Sequence, residues 1–322
     1  MKTRGGLEDM IPVLAMYALG GYKLMPSLQE IYKQLAEIKG HQSALDAIQK
    51  DINLLNSLYS LSANADKKIT VESCIELREI RFSYPETSKS VLDGISLKVA
   101  RNSTVGFVGG SGSGKTTTVD IMLGLLNPAA GGLYVDDKRI VDETIHAWQR
   151  NLGYVPQQIF LTDDTIAANI AFGIPAEDID QANIERAARA AHLHDFIINE
   201  LPIGYNTMVG ERGVRLSGGQ RQRIGIARAL YHDPDVLIFD EATSALDNIT
   251  EKVVMDAVRE LGHTKTIILI AHRLSTVESC DELFLFSNGK IIANGTYQEL
   301  MQTNATFREM ARSTKPVDGN IN

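Results

Sequence analysis

An open, mostly parallel α/β sheet is the fold this sequence predicts for most of its length, and three observations predict it. From Ile75 onward, β-prone runs alternate with helical ones, the order that builds parallel sheets. Two of the runs, residues 236–239 and 266–271, are short, continuous and apolar, as strands buried on both faces are. A third, residues 104–108, passes through a glycine-rich turn into a helix whose Val119, Met122, Leu123 and Leu126 keep helical spacing.

The whole chain bounds the reading. Its 322 residues allow one large domain and a smaller piece, and 44% hydrophobic with 22% charged residues is the composition of an ordinary globular protein. The formal charge of −8, with no basic block, argues against a nucleic-acid partner. Cys74 and Cys280 make neither a disulfide framework nor a metal site and suit a reducing compartment.

The N-terminal stretch carries no convincing secretory signal. Its apolar run, residues 10–22, lies between Asp9 and Lys23. As a helix it reaches about 20 Å, against about 30 Å for a hydrocarbon core, so it is too short to span a membrane unaided. It reads either as a buried core helix or as the end of a spanning helix. Residues 27–60 read as a long helix. Leu28, Ile31, Tyr32, Leu35 and Ile38 form one stripe; Leu45, Ile48, Ile52, Leu55 and Tyr59 continue it after Gly40. Such a stripe packs against a neighbour, although glutamines at seam positions disfavour a coiled coil. Residues 61–73 lose the periodicity and read as a linker.

Beyond the linker, residues 75–85 alternate and read as a strand, with 91–99 as another; 176–200 and 217–231 read as helical. Near the end, LFLF and KIIA flank Ser287-Asn288-Gly289, and Asn-Gly between strands is a hairpin signal. Thr296 and Glu299 form a T-x-x-E capping box that opens a last helix, and the final KPVDGNIN reads as a frayed tail.

The chemistry begins at Gly109-Gly110-Ser111-Gly112-Ser113-Gly114-Lys115-Thr116, followed by Thr117. This is G-x-x-x-x-G-K-[ST], the phosphate-binding P-loop, in its strand–loop–helix context. Glycines let the backbone wrap closely and aim N–H groups at phosphate oxygens, and the helix N-terminus adds partial positive charge. Lys115 supplies a full charge for the β- and γ-phosphates, and the Thr116 hydroxyl is placed for Mg²⁺. A second element, residues 236–239, ends in Asp240-Glu241. In an open α/β sheet ligands bind beyond the carboxyl ends of the strands. Asp240 there is expected to hold Mg²⁺ and Glu241 to polarise the attacking water. A third, Leu216-Ser217-Gly218-Gly219-Gln220, precedes Arg-Gln-Arg and an apolar-periodic helix. Ser217 reads as an N-cap, and the two glycines behind it bare backbone N–H groups for an anion.

LSGGQ between a P-loop and an apolar strand ending in Asp-Glu resembles the ABC ATPase family, over residues 75 to about 313. The resemblance implies a P-loop NTPase (RecA-like) core with an antiparallel β subdomain and an α-helical signature subdomain, behind a long N-terminal helix. It implies that Ser217, Gly218, Gly219 and Gln220 cap the γ-phosphate held at the P-loop of a second ATPase domain, in a head-to-tail homodimer that sandwiches two ATP molecules. Tyr84 in FSYP matches the aromatic that stacks on adenine. Gln157 in YVPQ, with Gln158 beside it, matches the glutamine that reaches Mg²⁺ and the attacking water. The segment IFLTDDTIAANIAFG fits the surface that receives a transmembrane coupling helix. Asp247 in SALD matches the D-loop at the dimer interface, and His272 the switch histidine at the γ-phosphate. Glu211-Arg212-Gly213 resembles the loop of exporter-type members. No catalytic position departs from the pattern, so an active ATPase is implied.

The resemblance also reaches backward. MYALGGYKLMPSLQEIYKQLAEIKGHQSALDAI is similar to the last transmembrane helix and cytoplasmic extension of single-chain exporters, and GGYKLMPSL to bacterial exporters that flip lipid-linked sugars. Such exporters carry about six membrane helices and this chain holds part of one. Either it is a piece of a longer protein or its membrane domain is a separate chain. The expected layout is residues 1–60 as the end of a transmembrane domain, 61–73 a linker, 74–314 the ATP-binding domain and 315–322 a tail. The expected place is the cytoplasmic face of a bacterial inner membrane, with a transmembrane domain as partner and no nucleic acid. Only 102 positions separate Lys115 from Ser217, which leaves no room for the long coiled coil of chromosome-maintenance ATPases. The single cassette differs from the paired cassettes of translation factors. An importer ATPase is usually a separate chain, so the fused apolar run favours an exporter.

Overall fold

Strand-forming sequence sets the architecture from residue 74 on. The computed structural model describes residues 7–62, 68–85, 90–214, 216–241, 248–262, 264–271 and 273–313. In chain order its elements are α1 (Leu7–Ser62), β1 (Cys74–Phe82), β2 (Leu92–Ala100), β3 (Thr104–Gly109), α2 (Lys115–Met122), β4 (Ala130–Val135), β5 (Lys138–Arg139), α3 (Ile145–Gln149), β6 (Leu152–Val155), α4 (Ile166–Ile170), α5 (Gln181–Ala190), α6 (His194–Glu200), α7 (Gly218–Leu230), β7 (Val236–Asp240), α8 (Asn248–Gly262), β8 (Thr266–Ile270), β9 (Glu282–Ser287), β10 (Lys290–Gly295), α9 (Tyr297–Thr303) and α10 (Ala305–Ser313). Contacts divide the chain into two units, Met1–Asn64 and Ala65–Asn322.

The first unit is α1, one helix of 56 residues. The sequence suggested an apolar piece and a separate helix from residue 27, but the helix runs through Pro12 and Pro26. A proline inside a helix removes one hydrogen bond and costs about 3 kcal/mol. The Leu, Ala, Glu, Gln and Lys residues on both sides of Pro26 are strong helix formers and carry the helix past it. Its apolar side chains from Met10 to Ile52 are exposed. No helix among the described residues is long and apolar enough to cross a membrane.

In the second unit, the described residues form two sheets. One is antiparallel, in the order β2-β1-β4-β5; the other follows the order β10-β9-β3-β8-β7-β6. Within the latter, β6–β7, β7–β8, β8–β3 and β3–β9 all pair in parallel, and β10 adds an antiparallel edge. The continuous apolar runs are explained by two cores on opposite faces. Val236 and Ile238 of β7, with Ile268 and Ile270 of β8, face the antiparallel sheet and α2. Their neighbours Leu237, Phe239, Ile267 and Leu269 face the helical layer with α4, α5, α7 and α8. A period of two with both faces buried leaves no polar position in the strand. Trp148, fully buried, donates its indole N–H to the Met122 carbonyl at 2.8 Å and so fixes the end of α2.

Several expectations take finer form. Residues 176–200 hold a 3₁₀ turn and two helices, α5 and α6, because Asp180 caps the first and His192 turns the chain at φ +50°. Part of the expected linker is tied down: Val71 is buried, Ile69 donates its N–H to the Ala147 carbonyl, and the Ile69 carbonyl accepts from the Asn151 side-chain amide. The Asn288-Gly289 hairpin forms with Ser287 opposite Lys290 and φ of +49° and +75° at the turn, the signs of a type I′ turn. The Thr296–Glu299 capping box is complete in both directions. The tail from residue 314 lies outside the described residues.

The hairpin turn also supports the glycine-rich loop. Gly289 donates its N–H to the Ser113 carbonyl at 3.0 Å and accepts from the Asp93 N–H at 2.9 Å. A Cβ on Gly289 would press into the Val91 carbonyl, whereas one on Gly204, also at positive φ (+56°), would meet nothing nearer than Ile198 at 3.9 Å. Gly289→Ala should therefore lower stability by about 3 kcal/mol and Gly204→Ala by about 1 kcal/mol, since only the first adds a backbone collision to the left-handed cost. Urea unfolding of the two variants measures this; equal losses contradict the supporting role of the turn.

Candidate functional site

Parallel pairing puts the carboxyl ends of β3, β6, β7 and β8 at one edge of the sheet. The P-loop leaves β3 there. Gly109, at φ +151°, passes under the Phe286 carbonyl, where a Cβ would collide. Gly112 and Gly114 take φ of +71° and +106°. A Cβ on Gly114 would approach Leu92 to 2.6 Å, while the space beside Gly110 and Gly112 is open. Gly114 is the N-cap of α2 and brings no side chain to cap it, so the helix's positive end is left for an anion. Ser111 and Thr116 are exposed; Ser113 and Thr117 are buried. Thr118 donates its hydroxyl to the Gly114 carbonyl at 2.8 Å.

Lys115 is 5% exposed, and its ammonium donates to the Gly109 and Gly110 carbonyls at 2.8 and 2.9 Å and to Ser113 Oγ at 3.5 Å. Burial pulls its pKa down, against the opposing pull of the nearby Glu241 and Asp240. Tyr84, half-exposed, sets its ring edge-on to Phe82 at 5.0 Å and its hydroxyl 3.5 Å from Thr117 Oγ1.

Asp240 is the last residue of β7 and is buried. Burial and the adjacent Glu241 push its carboxyl up, against a hydrogen bond from Tyr154, whose hydroxyl donates to Oδ2 at 3.4 Å. The Tyr154 phenol is itself raised to about 12 by burial and by that carboxylate. Glu241 sits at φ +49°, a region few side chains adopt, and its N–H bonds the Ile270 carbonyl at 3.0 Å. Gln157, exposed two residues beyond β6, donates Nε2 to Glu241 Oε2 at 2.7 Å. Lys115, Gln157, Asp240 and Glu241 thus form one cluster, with half-buried Asp120 of α2 behind it. No group of three or more His, Cys, Asp or Glu that could hold a metal occurs among the described residues.

The signature residues form a second locus. Ser217 caps α7: its hydroxyl accepts from the Gln220 N–H at 3.2 Å, and the Gln220 side chain accepts from the Ser217 N–H at 2.8 Å. Gly218 is exposed at the helix start and Gly219 is buried. Among the described residues, no hydrogen bond joins this loop to the Lys115 cluster. Asp247 and His272 lie outside the described residues, as does the whole of the Ser244–Asp247 segment read as the D-loop. Tyr154 and Asp120 were not foreseen. The signal for Tyr154 is strand period: with Leu152 it faces the α2 side, opposite to Val155, and that face ends at Asp240.

The profile of the family described as ABC transporter matches residues 92–244. The chain is 40% identical over 283 residues to the ATP-dependent lipid A-core flippase of Saccharophagus degradans, across 88% of this chain and 48% of that protein. It is 38% identical to multidrug resistance protein 1 of Entamoeba histolytica, across 88% of this chain and 22% of that one. A solved bacterial Atm1-family ABC exporter with ATP bound superposes with a TM-score of 0.70 at 37% identity, covering 79% of this chain and 44% of that chain. The chain spans about half the length, or less, of the relatives it matches. The strand order, the P-loop cluster and these similarities agree that the chain carries an ATP-binding domain of the ABC transporter family.

Proposed function

We propose that this domain binds ATP with Mg²⁺ and hydrolyses it between two copies arranged head to tail, powering an exporter that moves or flips a lipid, glycolipid or other substrate. The observation that carries the reading is the convergence of Lys115, Gln157, Asp240 and Glu241 at the carboxyl edge of one parallel sheet. The residues fit a nucleoside triphosphate: open space beside Gly110 and Gly112, an uncapped helix start and a buried ammonium converge on one loop. They also fit Mg²⁺. That ion keeps waters and substrate phosphates as ligands and needs only one or two protein oxygens, here the Thr116 hydroxyl and the Asp240 carboxylate, with Gln157 beside them. Glu241, held off the strand at φ +49°, is the base that takes a proton from water. Gly109 to Thr117 wrap the phosphates, Tyr84 meets the base, and His272 contacts the γ-phosphate. Ser217 to Gln220 and Asp247 act on the partner's nucleotide.

The names of the similar proteins, an ATP-dependent lipid A-core flippase, a multidrug resistance protein and an ABC exporter, support export. Within this reading, residues 1–60 end a transmembrane domain, 61–73 join it to the ATP-binding domain of 74–314, and 315–322 form a tail. The assembly sits at the cytoplasmic face of a bacterial inner membrane.

Glu241→Gln should leave ATP affinity near wild type and cut turnover about a hundredfold or more, trapping the ATP-bound dimer. Filter binding, phosphate release and gel filtration with ATP measure this, and wild-type turnover would falsify the base assignment. Ser217→Arg should block hydrolysis with its own P-loop intact, and Lys115→Ala should lose nucleotide binding. Mixed together, the two variants should recover at most one of two composite sites, so half the wild-type rate is the ceiling. Normal hydrolysis by Ser217→Arg alone removes the trans arrangement.

Asp240 gives a pH test. Its carboxyl is harder to ionise when folded, so it has no effect well below the ordinary carboxylate value of about 3.9, where both states are protonated. As pH rises past that value, the folded state increasingly resists losing the proton and stability falls. Asp240→Asn should therefore raise Tm at pH 7 in metal-free buffer, with the gain vanishing toward pH 3, and should abolish hydrolysis. Calorimetry across pH reads the first effect; a lower Tm at pH 7 contradicts the electrostatic account.

A further inference from the structure

The two carboxylates that end β7 are each held by a donor that β6 supplies. Gln157, in the loop past that strand, donates Nε2 to Glu241 Oε2 at 2.7 Å. Tyr154, within the strand, donates its hydroxyl to Asp240 Oδ2 at 3.4 Å. The two donors stand on different footings. Gln157 is exposed and lies beyond the last ladder pair, Val155 with Phe239. Tyr154 is half-buried and sits in the ladder itself, paired with Ile238.

Sheet geometry explains how a tyrosine at this position reaches Asp240. Side chains alternate along a strand, so Ile238 and Asp240 share one face of β7. Tyr154 stands beside Ile238 and packs on that same face, toward α2. Asp240 is therefore one diagonal step ahead of it, and an aromatic side chain is long enough to cross such a diagonal. A phenylalanine there would fill the same space and bring no donor. A phenol keeps its proton at neutral pH, so toward a carboxylate it acts as a donor. Among the described residues, no hydrogen bond reaches Asp240 Oδ1.

Asp120 adds a reason for the tether. It stands one helical turn after Thr116 on α2, half-buried, and its like charge acts on Asp240. Repulsion displaces a carboxylate without choosing its orientation, whereas a hydrogen bond is directional. We propose that Tyr154 is a positioning residue for Asp240: it holds Oδ2 toward β6 and leaves Oδ1 to serve Mg²⁺ or a water of its shell. This rests on the ATPase reading, in which Asp240 serves the cation. Tyr154 itself touches neither nucleotide nor metal. Residues that hold a metal's ligands in place change metal affinity by about ten- to a hundredfold when they are removed.

The test uses the full chain with Tyr154→Phe, which removes the hydroxyl and keeps the ring. The dissociation constant of a non-hydrolysable ATP analogue is measured in EDTA and at saturating Mg²⁺, in the wild-type and in the Asp240→Asn background. Tyr154→Phe should leave the EDTA value within about twofold of wild type and raise the Mg²⁺ value about tenfold. In the Asp240→Asn background the same change should alter neither value, because the group it acts through is gone. A loss of equal size in EDTA and in Mg²⁺ marks a merely structural tyrosine and overturns the proposal. So does a further Mg²⁺-dependent loss in the Asp240→Asn background. If the wild-type chain binds the analogue in neither condition, the ATPase reading falls. If it binds and Tyr154→Phe matches it in both, only the tyrosine assignment falls.

Discussion

The hydrogen-bond pattern of the parallel strands is the constraint from which the site follows. A parallel ladder points every strand the same way, so β3, β6, β7 and β8 must all release their chains at one edge. Three of these release points carry different chemical groups: the glycine loop and Lys115 from β3, Gln157 from β6, and Asp240 with Glu241 from β7. The crossover segments that return the chain lie on the two faces and bury the apolar residues of each strand. Shifting β7 by one residue exchanges the faces of Leu237 and Ile238 and carries Asp240 away from Lys115. The two cores therefore hold the catalytic register as well as the fold.

That edge is electrostatically unbalanced by the chain's own groups. Asp240 and Glu241 are adjacent carboxylates with Asp120 behind them, against one nearby ammonium, and burial makes the Asp240 charge costly. The ammonium is shared with two backbone carbonyls, which further dilutes it. A triphosphate brings more negative charge to the same place. Backbone N–H groups at the start of α2 offset part of it, but their pull is fractional. In the proposed function, a divalent cation held by Asp240 would offset the excess, and an ion that shares its ligands with phosphate and water needs no dedicated cage of protein donors. On the proposed function, this charge distribution suits the metal–nucleotide complex rather than either component alone.

Legibility in the sequence followed sequence distance. Elements specified by neighbouring residues could be read: the buried run 236–239, the Asn288-Gly289 turn, the Thr296–Glu299 box and the P-loop between strand and helix all formed as expected. Short elements set by tertiary support were not read. Helices α3 and α4, of five residues each, have no periodicity to show, and β5, of two residues, exists only through its pairing with β4. The unbroken α1 was missed because Pro26 is a strong local stop signal that favourable neighbours override. In the site, contiguous motifs named Lys115, Asp240, Glu241 and Gln157. Supports that arrive from far along the chain, such as the Gly289 amide on Ser113 and the Tyr154 hydroxyl on Asp240, left no motif to find.

The signature loop shows how much of a site can be backbone. Ser217 and Gln220 turn their side-chain oxygens onto each other's backbone N–H groups in a reciprocal cap, which fixes both side chains at the start of α7. The loop also presents the exposed start of α7 at Gly218 and the partial positive charge of that helix. In the proposed dimer, the triphosphate lies between two helix starts, α2 of one chain and α7 of the other. Such donors are already oriented and need no rearrangement as charge develops on the transferring phosphoryl group. They are also weak one at a time and act only at short range. A closed interface is then necessary for hydrolysis, and loss of the γ-phosphate removes the group that both helix ends share. Opening after hydrolysis follows from that loss, without any further trigger.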